Sequence, residues 1–499
     1  MSLVFRDAFW QIFGRIVSAF AGFLVVKLLT PYLWPLRYGD YSTVLKYFAI
    51  WSALADFWIY VVALNALWKI IDKTEQVKQY HKFLGFRFFM IFLVYTTAFV
   101  IAWMIPSYVN NHFVAHWLII WMLFSATFMA AWIVQIPLQL YWQMKHVSIA
   151  LILARIVQIV LLLGIIFWLF PNVDFSHFSL IGLFAFLAVL FTVLASGLTQ
   201  FLYVLFVWNK FLKFKLDFDW TFIKENFKSN WKYGLSYFLS SFHTLIVLIF
   251  LSIMFPTSEW YNYVGIWAVA LALIEILLIV PSAFWNSIIH KISPYRKDKK
   301  LKSLWYYLTF ILWFGFIVLL NFILFKTQII NFIAGEKYLT KPWMIGSDFI
   351  LPFLAVVLFL SFIKQVFNYV LVSFNKQNKL LKVNLIWVII WVLVWLLLIP
   401  RYNLIWWVMT QLILEICFVL GALLIAWKWE ILPKVDFKEI LKLVFINVSL
   451  IIILYSLFVK FWIYQIVQSK VLFVLVVVTL NAIYLVFSYK FIKKIMWKI

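Results

Sequence analysis

GRIVSAFAGFLVVKLLTPYLWPLRYGDYSTVLKYFAIWSALADFWIYVVAL, residues 14–64, decides the fold. It is apolar on both sides of the segment 31–40, and each apolar run is long enough to cross a bilayer, which takes about 20 residues. The first run is longer than a signal-peptide core, Arg15 interrupts it, and no small-x-small cleavage site follows. It therefore reads as a permanent span rather than a removable leader.

Outward from this segment the pattern repeats. About fourteen apolar stretches of membrane-crossing length fall near 8–30, 41–66, 83–106, 112–140, 147–170, 177–208, 231–255, 261–290, 303–325, 345–373, 381–400, 403–427, 440–460 and 470–492. Lys and Arg crowd the even-numbered connections, densest at 69–82, 210–232, 291–302 and 428–442, and nearly vanish from the odd-numbered ones. The positive-inside rule then puts both termini in the cytoplasm. Composition agrees: 67% of the 499 residues are hydrophobic and 12% charged, against about 25% charged in soluble domains. The net charge of +24 sits in helix-orienting loops, so it marks no nucleic-acid surface. Cys417 is the single cysteine and the seven His show no paired ligand spacing, so no metal is expected. No Gly-rich phosphate loop is present, so no nucleotide cofactor is expected either. Energy for any transport would then come from an ion gradient, the membrane potential or substrate supply, with H⁺ or Na⁺ the candidate coupling ions. The outer loops are short, and their acids Asp40, Asp174, Glu259 and Glu336 are scattered singly. That disfavours a membrane glycosyltransferase or polymerase, which needs paired carboxylates, and the chain is expected not to be an enzyme.

An internal repeat shapes the domain expectation. Pro31 to Gly39 and Pro256 to Gly265 each place a Pro, an aromatic-rich turn and a Gly between two spans, six spans apart. Gln143–His146 and Asn375–Lys379 form a second pair at the same interval. The expected class is all-α: an N-terminal six-helix lobe (1–210), a cytoplasmic or interfacial linker (211–230), a C-terminal six-helix lobe (231–430) and two further transmembrane helices (431–499). Repeats of this kind usually bracket the substrate path. The basic and aromatic segment 214–228 has the composition of an interfacial helix.

Three stretches bear a family likeness: 14–64, YVGIWAVALALIEILLIVPSAFWNSIIHKIS (263–293), and SFNKQNKLLKVNLIWVIIWVLVWLLLIPRYN (373–403). They resemble polysaccharide lipid flippases of the Wzx type, within the multidrug/oligosaccharidyl-lipid/polysaccharide exporter superfamily. The family pattern has Gly where this chain has Trp34 and Trp58. The resemblance implies a MATE-like, V-shaped pair of bundles that moves an undecaprenyl-pyrophosphate-linked oligosaccharide between leaflets of the bacterial cytoplasmic membrane by alternating access. Its partners would be that lipid, the surrounding membrane lipids and polysaccharide-assembly proteins. A peptidoglycan-precursor flippase and a drug or cation antiporter are the alternatives.

Ionisable residues inside spans cost about 2.5–3.5 kcal/mol each at mid-helix and should face protein or water. Arg15 shares a helix face with Ser18 and Gly22, and Arg155 lies beside Gln158. With Lys27, Lys46, Lys364 and Asn368 they are the candidates for holding the pyrophosphate, since guanidinium groups bind such oxyanions bidentately. Snorkelling to headgroups is the competing use of the span-end cations. Glu275, Ser282 and Asn286 share one face of span 8 around Pro281, whose ring frees a backbone carbonyl. With Glu415 and Asp348 they are the candidates for ion coupling. Asp56 is expected to form a structural salt bridge with one of the first-lobe cations. Gln135 and Gln139 read as interhelical hydrogen bonds.

Overall fold

The computed structural model describes residues 3–56, 59–116, 135–141, 143–208, 215–254, 262–278, 297–342, 344–373, 377–398, 404–428 and the single positions 445, 449, 479 and 481. The described residues are helical almost throughout, with one isolated bridge between Lys341 and Met344. This follows from the solvent, because in lipid each backbone N–H and C=O must be satisfied within its own segment.

The long elements are α1 (Leu3–Asp56), α2 (Ile59–Leu67), α3 (Lys73–Trp103), α4 (Met144–Gly164), α5 (Leu180–Trp208) and α6 (Trp220–Met254). They are followed by α7 (Asn262–Leu278), then α8 (Lys297–Leu324), α9 (Lys326–Ile333), α10 (Ser347–Ser373), α11 (Gln377–Leu398) and α12 (Leu404–Lys428). Among the described residues, 6 helices are long and apolar enough to cross a membrane, or 7 if the bent pair α8–α9 counts as one span. The expected spans 112–140, 440–460 and 470–492 lie mostly outside the described residues.

Three junctions differ from the sequence expectation. The segment 31–40 was expected as an outer loop, yet helix runs up to Trp34 and resumes directly after it. Pro35 disfavours helical geometry at the residue before it, and Trp34 takes φ 59, ψ 167. That backbone region is essentially reserved for glycine. Arg37 braces the turn, ion-paired to buried Asp40 at 2.9 Å with its guanidinium 3.7 Å over the Phe113 ring. Asn111 donates to the same carboxylate at 2.8 Å. In the second case, residues 220–230 form the first turns of α6 instead of a separate interfacial helix. In the third, the outer segment after span 9 turns through 84° into α9 rather than forming an open loop.

The chain clusters into two compact units, 1–272 with 384–388, and 273–383 with 389–499. In the first unit, small residues let helices approach closely. A Cβ on Gly14 would lie 2.6 Å from the Cβ of Ser148, so α1 and α4 touch there only because Gly14 has none. Ser148 returns a hydrogen bond to the Trp10 carbonyl at 2.6 Å. α3 is tied to α1 by Tyr47, which donates to the Ala98 carbonyl at 2.5 Å. The turn of the first repeat also packs on the start of the second: a Cβ on Gly265 would fall 1.8 Å from the Pro35 carbonyl oxygen. In the second unit, α8 and α10 interleave aromatics, with Phe316 and Phe359 at 4.8 Å and Phe314 stacked on Phe362 at 5.9 Å. Asn321 and Asn481 exchange amide hydrogen bonds at 3.0 and 3.1 Å.

Candidate functional site

In the first unit, α1 and α4 bring Arg155 and Ser18 together. Arg155 donates from Nε to the Ser18 hydroxyl at 3.3 Å and from Nη1 to Gln158 Oε1 at 2.7 Å. Gln158 is 2% exposed and Ser18 is also buried. Buried Tyr41 lies within electrostatic reach of this guanidinium. No carboxylate is among the partners of Arg155 in the described residues. Arg15, one turn before Ser18 on the same face, is half-buried and lies within electrostatic reach of Tyr60. The Tyr60 hydroxyl donates to Gln139 in a short hydrogen bond, the interhelical use expected of that glutamine. Lys27 and Lys46 are half-buried on α1, each with an interaction of its own.

Asp56 makes an ion pair, with a partner the sequence reading did not choose. Arg87 Nη1 lies 2.8 Å from Asp56 Oδ1 and donates to the Ala55 carbonyl at 2.9 Å. The partner is thus Arg87 on α3, not Arg15, Lys27, Lys46 or Arg155. Arg87 is 1% exposed, and it is not among the candidates read from the sequence. Nearby, Ser52 and Tyr95 share a hydrogen bond of 2.5 Å. Asp56 is therefore paired with Arg87, and the hydrogen-bond partners of Arg155 among the described residues are neutral.

In the second unit, α10 and α12 bring together Lys364 and Glu415, which the sequence reading had assigned to different tasks. Lys364 Nζ lies 2.7 Å from Glu415 Oε1 and 2.9 Å from Oε2. Ser361, one turn earlier, donates to the same carboxylate in a short bond. Asn368 is half-buried on the same helix. Asp348 is buried at the start of α10, where Oδ1 accepts from the Thr340 N–H at 2.8 Å and the Thr340 hydroxyl at 2.7 Å. Its other oxygen faces Thr327 at 3.4 Å, so it fastens the turn before α10 to the helix N-terminus, where a carboxylate is favoured. Glu275 is half-buried on α7. Ser282 and Asn286 lie outside the described residues. No group of three or more His, Cys, Asp or Glu suited to a metal occurs among the described residues.

Residues 4–284 match the family described as polysaccharide biosynthesis protein. None of the curated proteins matches. Among solved structures, the chain is similar to a lipid II flippase, MurJ, in an inward closed conformation. The two are 13% identical with a TM-score of 0.66, over 99% of this chain and 100% of that one. It is also similar to a MATE multidrug transporter, DinF-BH, in complex with R6G, at 14% identity and a TM-score of 0.61, over 85% of this chain and 95% of that one. An inward-facing MATE-family transporter of the MOP superfamily gives 13% identity and a TM-score of 0.56, over 82% and 92%. The fold is that of this transporter superfamily.

Proposed function

We infer the function from one premise: the chain belongs to the polysaccharide biosynthesis protein family. It is a multi-pass membrane protein that moves an undecaprenyl-pyrophosphate-linked oligosaccharide from the inner to the outer leaflet of the cytoplasmic membrane, by alternating access, for surface polysaccharide assembly. It works as a transporter and makes or breaks no covalent bond. Both termini face the cytoplasm, and polysaccharide-assembly proteins act before and after it.

One observation carries the reading: half-buried Arg155 is held by neutral Ser18 and Gln158, with Arg15 on the same face of α1 as Ser18. Serine and glutamine orient a guanidinium without cancelling its charge, so the place is suited to an oxyanion. A pyrophosphate crossing the membrane needs such a partner away from water. A drug or cation antiporter would need an acidic site there, and the acid at hand, Asp56, is already taken by Arg87. A peptidoglycan lipid-precursor flippase is the second reading, favoured by the end-to-end match with MurJ. Coupling to H⁺ or Na⁺ is assigned to Glu275 on α7.

The test is translocation in proteoliposomes, with a short lipid-linked oligosaccharide and a lipid-linked peptidoglycan precursor offered in parallel. Arg155→Gln is expected to insert normally and to move neither pyrophosphate lipid. Undiminished movement by the variant rejects the assignment, and preference of the unaltered chain for one cargo separates the two readings.

A further inference from the structure

The environment of Lys364 has the composition of a cation-binding site. The ammonium touches both oxygens of Glu415, at 2.7 and 2.9 Å, and faces the Phe418 ring at 5.2 Å. Glu415 is completely buried and the lysine side chain is 9% exposed. Ser361 adds a hydroxyl to the same carboxylate. One turn before Glu415 on α12, Gln411 is buried, and its Oε1 has no hydrogen-bond partner among the described residues. A carboxylate, a hydroxyl, an unpartnered amide oxygen and an aromatic face form a hard-oxygen set of the kind that binds small cations. An unpartnered buried acceptor forfeits its hydration, a loss that a cation coordinated by it would offset.

We propose that Lys364 is a tethered cation occupying a monovalent-cation site built by Ser361, Gln411 and Glu415, so that this site is filled by the chain itself rather than from solution. The lysine supplies the positive charge and hydrogen-bonds the carboxylate, while Gln411, one turn from Glu415, leaves its oxygen unpartnered among the described residues. With the ammonium removed, the same oxygens become a vacancy for a small alkali cation, Na⁺ or Li⁺. The inference concerns the second unit alone and stands apart from the anionic cargo assigned to the first.

The experiment is thermal unfolding of the purified full-length chain in detergent, in NaCl, LiCl or choline chloride at equal ionic strength. The unaltered chain is expected to melt at one temperature in all three. Lys364→Ala should melt lower in choline chloride and regain several degrees in NaCl or LiCl, because a ligand that binds only the folded state stabilises it by mass action. Lys364→Gln keeps the side-chain length, guards against misfolding of the shorter variant, and should show the same sodium-dependent gain. Adding Glu415→Gln to either variant should abolish it. The proposal is overturned if Lys364→Gln melts identically in all three salts. It is equally overturned if the unaltered chain gains stability from sodium and loses that gain on Glu415→Gln.

Discussion

Half-buried Arg155 in the first unit and buried Lys364 in the second are both cations on membrane-crossing helices, yet their charges are met by different means. Lys364 touches both oxygens of a fully buried carboxylate. Arg155 has a hydroxyl and an amide oxygen. A carboxylate cancels a charge, whereas dipoles only orient and partly stabilise it. The Lys364 site is therefore electrostatically closed, and the Arg155 site, on the proposed function, would be completed by an anion that arrives and leaves. Asp56, an acid of the same unit as Arg155, is paired with Arg87.

The largest expected effect comes from emptying the open site. Arg15→Gln with Arg155→Gln should lower pyrophosphate-lipid translocation by about 10²-fold or more, since removing a buried charge partner typically costs 2–5 kcal/mol. Proteoliposome transport measures it, and a double variant that still transports would break the comparison. Next is the closed site. Glu415→Leu leaves the ammonium unpaired and should destabilise the chain by about 3–5 kcal/mol, whereas Lys364→Met with Glu415→Leu should recover most of that loss. Melting curves decide it, and a double variant no more stable than Glu415→Leu would deny that the pair is self-contained. A smaller effect is expected from Arg87→Met, about 2–3 kcal/mol for a lost charged hydrogen bond. It should also cut transport, because freed Asp56 then competes for the first-unit cations, and Arg87→Lys should restore transport in part.

The smallest effect tests a pair in water. Asp219 accepts from Lys82 at 2.7 Å and from the Phe222 N–H at 3.0 Å, and these bonds hold its carboxyl below the usual value of 3.8. A depressed carboxyl contributes stability above its unfolded value and loses it as pH falls through the folded one. Asp219→Asn should therefore loosen the 215–222 segment slightly at pH 7, by amide exchange, and make no difference once pH is below the folded value. Such exposed pairs contribute little, in contrast to the two buried ones.

Hydropathy made the span pattern legible because lipid leaves the backbone one solution. The expected 177–208 and 345–373 correspond to α5 and α10 within a few residues. The ends were less legible, since charged turns such as 73–82 and 220–230 continue helices into water, where composition alone reads as loop. Within the candidate site, the exposed logic of Arg15, Ser18, Arg155 and Gln158 was visible as helical spacing. Pairings across helices were not: Lys364 and Glu415 are 51 residues apart in sequence, and nothing in either local pattern names the other. Arg87 is not legible for the same reason, because a cation near a span end looks alike whether it snorkels to headgroups or turns inward to a carboxylate.

The turn at Trp34 and its contact with Gly265 imply an asymmetry in how the two repeats tolerate mutation. Position 34 has the backbone of a glycine and the side chain of a tryptophan, so glycine should be accepted there and relieve strain of about 1–3 kcal/mol, which any other side chain would keep. Position 265 has no such latitude, because any side chain meets the Pro35 carbonyl. A saturation scan read by surface expression should find one repeat's turn permissive and its counterpart invariant, although the two motifs read alike in sequence.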